Sequence, residues 1–323
     1  MSHSPSYTDT DSDEELYSPN APVTRIDSSS FIAYKDHILN DCYHHYYITS
    51  DWSPLFFKAL AYEGFICVTH NEFLVPEIQV YYSVLDFPDL HIPKQTRKVI
   101  RKYTRPTDPN QPRLKCFVNK NSDLCVKRIQ EYWADKNWLS DKYVQCMREC
   151  GLDVRTYEVY LDTPVASLST AENTVYARLL IAGEIGYAIG GVYTSLTGYC
   201  EKKPEVKIAD FIVSNTGCQT IVKASSVDSV NSVVSTLPSV NIPKDLARCG
   251  GSIQLSCLGR WLQISGFSFW NLGHPPRKVL MKYKRDIGAK VLHRNNFLAR
   301  WRAARDLELL NESKENDFDF EHL

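Results

Sequence analysis

Apolar residues in "SPLFFKALAYEG" recur at helical spacing, with Ser53 set to cap, Pro54 at the first helical position and Gly64 set to end the helix. "FICVTH", which follows, is a short β-type run. "RLKCFVNKN" predicts a strand, and "SDLCVKRIQEYWADK" an amphipathic helix capped by Ser122 and Asp123. "LSDKYVQCMRECG" predicts a second helix ending at Gly151, and "VRTYEVYLD" alternates as a strand does. "EIGYAIGGVYTSLTGY" reads as two strands of an antiparallel meander, with Gly190 and Gly191 marking a bend, a bulge or a close approach to the backbone. Residues 202–249, Ser- and Val-biased, predict a long flexible insertion. Beyond it, "CGGSIQLSCLGRWLQISG" predicts a helix opened by a Gly-Gly-Ser turn. "FSFWNLG" predicts a strand, "MKYKRDIGA" a short helix, "KVLHR" a strand, and "NNFLARWRAARDLELL" a last helix capped by Asn295 or Asn296.

From Arg113 the order, β-α-α-β-β-β, insertion, α-β-α-β-α, predicts an α+β chain. Residues 26–112 read as a small N-terminal α/β domain ending in a basic helix. Residues 113–306 resemble a GNAT-type acyltransferase, a mixed sheet splayed in the middle and flanked by helices. The segments 1–25 and 307–323 are acidic tails with the composition of disorder.

Charge changes this picture. The net charge is −1, yet between Ile92 and Arg128 there are 11 Lys or Arg against 2 Asp. In "VLDFPDLHIPKQTRKVIRK" the cations Lys94, Arg97, Lys98, Arg101 and Lys102 fall on one helical face, while Val99, Ile100 and Tyr103 fall off it. A solvated helix face usually mixes its signs. This one does not, its charges repel one another, and a polyanion relieves that repulsion. Arg105, Arg113, Lys115 and Lys120 extend the patch. The 10 cysteines show no zinc spacing and read as buried thiols. There is no apolar run of membrane-spanning length and no apolar leader, so a cytoplasmic chain with no membrane partner and no metal is expected.

Candidate chemistry is sparse. Arg248-Cys249-Gly250-Gly251 misses the spacing of coenzyme A loops. Glu158 shares a strand face with Tyr160, and Asn271 follows Trp270 on an aromatic strand; each fits either a satisfied core position or a site. Aminolysis of an activated ester needs only a proton acceptor and donors for the developing oxyanion.

Five collinear blocks resemble leucyl/phenylalanyl-tRNA–protein transferases over about residues 80–300. "VLDFPDLHIPKQTRKVIRK" is similar to that family's "VL-W-P-x-x-LHI-x-R-S-x-K/R-R" segment, and "DKNWLSDKYVQCM" to its "GTWI" loop, which aligns Trp138. "VRTYEVYLD" is similar to its "AHSVEVW" strand, with Glu158 on the glutamate. "AIGGVYTSLTG" is similar to "LVGGLYGVxxG", giving Gly190, Gly191 and Tyr193, and "IGAKVLHRNNFL" to "LGAxxIPRxxFL", giving Gly288, Ala289, Arg294 and Phe297.

The resemblance implies transfer of a Leu- or Phe-like amino acid from aminoacyl-tRNA to the N-terminal amine of an acceptor protein or peptide. It implies no coenzyme A or other cofactor, no metal, and a monomer. It assigns tRNA binding to Lys94, Arg97, Lys98, Arg101, Lys102 and Trp138, and an aminoacyl pocket to Gly190, Gly191, Tyr193 and Trp270. Asn271 and Glu158 are the catalytic candidates. Two family segments are replaced here: "YCEKKPEVKIADF" stands where "GESMFS" belongs, and Asn271 alone stands for the "DxQ" pair. Those departures keep two other readings open, an acyl-CoA N-acyltransferase and a non-catalytic tRNA-binding relative.

Overall fold

The computed structural model describes residues 24–41, 43–108, 110–165, 169, 173–202, 208–215, 218–223, 240, 242–276, 281–309 and 317–318. The acidic segment 1–23 and most of residues 310–323 and 224–241 lie outside them, so the readings of tail and insertion disorder there carry no structural description.

A 10-stranded mixed sheet organises the chain. Its order is β13 (Lys290–His293), β5 (Tyr81–Leu85), β12 (Phe269–Asn271), β9 (Val192–Cys200), β8 (Asn173–Ile189), β7 (Asp153–Pro164), β6 (Arg113–Val118) and β14 (Asp317–Phe318). A hairpin of β10 (Ile208–Asn215) and β11 (Cys218–Lys223) adds to the first half of β8. Smaller pairs join β1 (Thr24–Arg25) to β2 (Tyr47–Ile48), and β3 (Ile66–His70) to β4 (Phe73–Glu77). The fold is α+β, as the element order predicts.

Alternating side chains send the sheet's apolar residues into two cores. Phe117, Tyr160 and Tyr187 pack with α2 (Pro54–Tyr62), α4 (Ser122–Trp133) and α5 (Asp141–Glu149). Cys116, Tyr157, Tyr193 and Trp270 pack on the other face, with α3 (Lys94–Thr104) and α6 (Lys244–Ile264). The last helices are α7 (Tyr283–Asp286) and α8 (Arg294–Ala304); α1 (Ser28–Asn40) opens the chain.

Four expectations are corrected. Strand β5 pairs with both β12 and β13, so the sheet crosses the boundary expected near residue 112. Asn121 caps α4, its side chain accepting the Leu124 N–H at 3.2 Å, and His293 caps α8. The segment 202–249 is not one flexible insertion, because β10, β11 and the first turns of α6 lie in it. Gly250 and Gly251 do not open α6, which starts at Lys244 with Pro243 before it. They sit inside the helix, where a Cβ on Gly250 would come 2.5 Å from Cys200 Sγ. The small residues let α6 lie close against the end of β9.

Candidate functional site

Helix α3 forms as the spacing predicts. Thr96, Val99, Ile100 and Tyr103 are buried, whereas Lys94, Arg97, Lys98, Arg101 and Lys102 are all exposed. Lys102 reaches Asp245, in the first turn of α6, at 2.8 Å, and Tyr103 donates to the same carboxylate at 2.8 Å. That hydrogen-bonded ion pair raises the Lys102 ammonium and lowers the Asp245 carboxyl against its burial. Arg97 donates to the Ile92 carbonyl at 3.3 Å. Among the described residues no carboxylate pairs with Lys94, Arg97, Lys98 or Arg101.

Helix α3 packs on α6 and β6, and the sheet parts farther along, between β9 and β12. Strands β9 and β12 run parallel and pair only at Val192–Phe269, Tyr193–Trp270 and Thr194–Asn271. Beyond Thr194, β9 continues to Cys200 with β12 no longer beside it. The divergence coincides with a bulge: Ile185 pairs with Thr197 and Gly186 with Ser195, so Leu196 is the extra residue.

A buried carboxylate lies at that point. Glu184, on β8, is 4% exposed. Its Oε1 accepts from the Tyr193 hydroxyl at 3.1 Å and the Ser195 hydroxyl at 2.8 Å, and its Oε2 accepts from Gln254 Nε2 of α6 at 2.9 Å. The Trp270 indole N–H donates to Ser195 Oγ at 2.7 Å. All these partners are neutral, and burial pushes the Glu184 carboxyl up to about 7. Glycines surround it. A Cβ on Gly186 would sit 2.6 Å from the Tyr193 hydroxyl, and one on Gly198 would sit 2.9 Å from Glu184 Cβ.

The parallel pairing brings Tyr193, Trp270 and Asn271 together, but strand alternation points Asn271 away from Trp270. Asn271 is internally bonded, donating to Thr194 Oγ1 at 3.3 Å and accepting the Gly273 N–H at 3.0 Å. Glu158 lies on the opposite face from Glu184. Its two carboxylate oxygens accept the Asn121 N–H at 3.0 and 2.9 Å, and Thr156 and Tyr160 donate at 2.8 and 2.7 Å. Glu158 is therefore bound to the start of α4, a structural position, with its carboxyl raised mainly by burial. Trp138 belongs to that same far core, edge-on to Tyr143 at 5.4 Å, and is not brought to the cationic stripe. Gly190 and Gly191 form the β8–β9 turn and press on the end of α8. Gly190 has φ +51°, and a Cβ there would lie 2.2 Å from the Arg305 carbonyl oxygen. They precede β9, whose bulge at Leu196 lies at the middle of the strand.

Arg294 and Phe297 are buried anchors. The Arg294 guanidinium donates to the Gln79 carbonyl at 2.9 Å and the Ile78 carbonyl at 2.5 Å, and Phe297 stacks on Tyr82 at 3.7 Å. Glu184 was missed in the sequence although it is the one charge in the apolar run "LLIAGEIGYAI", the signature of a buried ionisable group. Among the described residues no cluster of His, Cys, Asp and Glu suits a metal, and no helix is long and apolar enough to cross a membrane.

No family model matches the chain, and no curated protein matches it.

Proposed function

We propose that the chain is an aminoacyl-tRNA–protein transferase on a GNAT-like core, moving a Leu- or Phe-like amino acid to the N-terminal amine of an acceptor. One observation carries this reading. The cationic face of α3 stands exposed on the sheet face that also holds α6, Trp270 and the parting of β9 from β12. From Lys94 to Lys102 the stripe runs about 12 Å at the helical rise, long enough to follow neighbouring backbone phosphates. The acceptor stem lies along the stripe, and the aminoacyl end reaches the opening between the strands.

Two features support the GNAT-like assignment: the connectivity β6-α4-α5-β7-β8-β9-α6-β12, interrupted by the β10–β11 hairpin between β9 and α6, and the bulge at Leu196 where β9 leaves its parallel neighbour. Coenzyme A is disfavoured, because the paired glycines lie within α6 rather than at its start. One observation favours the non-catalytic relative: Glu158 and Asn271 are both engaged within the core.

The decisive assay incubates the full chain with a mixture of labelled aminoacyl-tRNAs and a peptide starting with Lys or Arg. The proposal expects label on the peptide's N-terminal amine. Tight tRNA binding with no transfer selects the non-catalytic relative. Thermal stabilisation by coenzyme A without tRNA binding selects the acyl-CoA enzyme.

A further inference from the structure

We propose that Ser195 and Glu184 form the proton relay for the attacking amine, with Ser195 at the substrate and Glu184 behind it. The proposal rests on the transferase reading.

The hydrogen-bond count at Ser195 singles it out. A serine hydroxyl offers one donor and two acceptor lone pairs. The donor is committed to Glu184 Oε1 at 2.8 Å, and one lone pair takes the Trp270 N–H at 2.7 Å. Those two bonds fix the hydroxyl's orientation and leave one lone pair for an incoming N–H. Ser195 keeps partial exposure at the strand opening, whereas Glu184 is buried. The bulge at Leu196 turns the next residues away, so Ser195 is the first residue of β9 past its pairing with β12. Two glycines, Gly186 and Gly198, leave the space in which these side chains meet.

The surroundings suit a single titrating group. Tyr193 on β9, Tyr157 on β7, Cys125 on α4 and Tyr283 on α7 all feel the Glu184 charge. Burial holds Tyr193, Tyr157 and Cys125 upward and neutral near pH 7, and Tyr283, which is partly exposed, also lies above its ordinary value. Gln254 on α6 is uncharged, and among the described residues no cation bonds to Glu184. The carboxyl itself sits at about 7, where it accepts and returns a proton at little penalty.

The step balances without a co-reactant. The neutral amine nitrogen bonds to the ester carbonyl carbon, whose π electrons move to oxygen. The amine proton passes to Ser195 Oγ as the serine proton passes to Glu184. When the carbonyl re-forms, the C–O bond to the ribose breaks, and the relay runs backwards to protonate the leaving oxygen. The products are an amide, a tRNA with a free terminal hydroxyl, and the starting carboxylate.

Glutamine at position 184 keeps both hydroxyl bonds through its carbonyl oxygen and, with the Gln254 amide flipped, donates the third bond, so a structural network survives the change and a relay does not. The test measures kcat/KM for transfer from charged tRNA between pH 6 and 9 in the full chain, with Glu184→Gln, Ser195→Ala and Ser195→Thr. The relay predicts a loss of about 100-fold in the Gln and Ala variants. It also predicts loss of the rise in rate near pH 7 in Glu184→Gln, unchanged tRNA affinity, and near-complete rescue by Thr. If both deficient variants keep the wild-type rate and pH profile, the relay is overturned and the transferase reading stands. If the wild-type chain moves no amino acid from any charged tRNA, both fall. Should Glu184→Gln not fold, Ser195→Ala against Ser195→Thr decides.

Discussion

Two glutamates are buried in the central strands of one sheet, and they have opposite employments. Glu158 accepts from the backbone of Asn121 and so holds the start of α4 against β7. Glu184 holds no backbone group; side-chain donors alone surround it, where the strands diverge. Both carboxyls are raised by burial. A raised pKa therefore does not distinguish a structural acid from a reactive one. What distinguishes them is whether a partner has hydrogen-bonding capacity left over and faces an opening.

The largest effect expected separates the pair by chemistry. Glu184→Gln should lower transfer about 100-fold, while Glu158→Gln should leave the rate per folded molecule within about threefold. Steady-state transfer on samples matched for folded fraction measures this. Next is the stripe: Arg97→Glu with Arg101→Glu should weaken tRNA binding about 10- to 100-fold at low salt and flatten its salt dependence. Filter binding over a salt series reports both, and unchanged affinity removes α3 from the site.

A third contrast uses pH. The folded Glu184 carboxyl, at about 7, lies above the 4.5 of a free glutamate. The folded state therefore holds more protons than the unfolded one between those values, and stability must fall as pH rises through this window. The contribution is on the order of 3 kcal/mol at most. Melting at pH 5 and pH 8 should show a smaller drop in Glu184→Gln than in the wild type, with Glu158 leaving a residual slope of the same sign. Glu158→Gln should itself lose about 1–3 kcal/mol by disturbing the acceptor of the Asn121 N–H. The smallest effect is expected of Asp245→Asn. Its partner Lys102 is half exposed, and loss of such a pair should change stability by about 0–1 kcal/mol.

Much of the fold was legible because its signals are local. Helix α3 follows from the period of its cations and apolar residues, and α2 from Ser53 and Pro54. The placement of β5 between β12 and β13 was not legible, because nothing in Tyr81–Leu85 encodes which distant strands it joins. Gly250 and Gly251 misled for a related reason: their role is a close approach to Cys200, which periodicity does not encode. At the site, Tyr193 and Trp270 were named from the sequence and meet in space. Trp138 and Glu158 were named with them but face the other core. Glu184, Ser195 and Gln254 come from β8, β9 and α6, and only the sheet register assembles them.

In the proposed transferase the α3–α6 face, and not the α4 face, carries the chemistry. Side-by-side rates of aminoacyl transfer from charged tRNA to a peptide amine, for wild type, Glu184→Gln and Glu158→Gln, test it most directly. Transfer is expected from the wild type and from Glu158→Gln, with its near loss in Glu184→Gln. Transfer that survives in Glu184→Gln and is lost in Glu158→Gln, or that no wild-type sample shows, would contradict it.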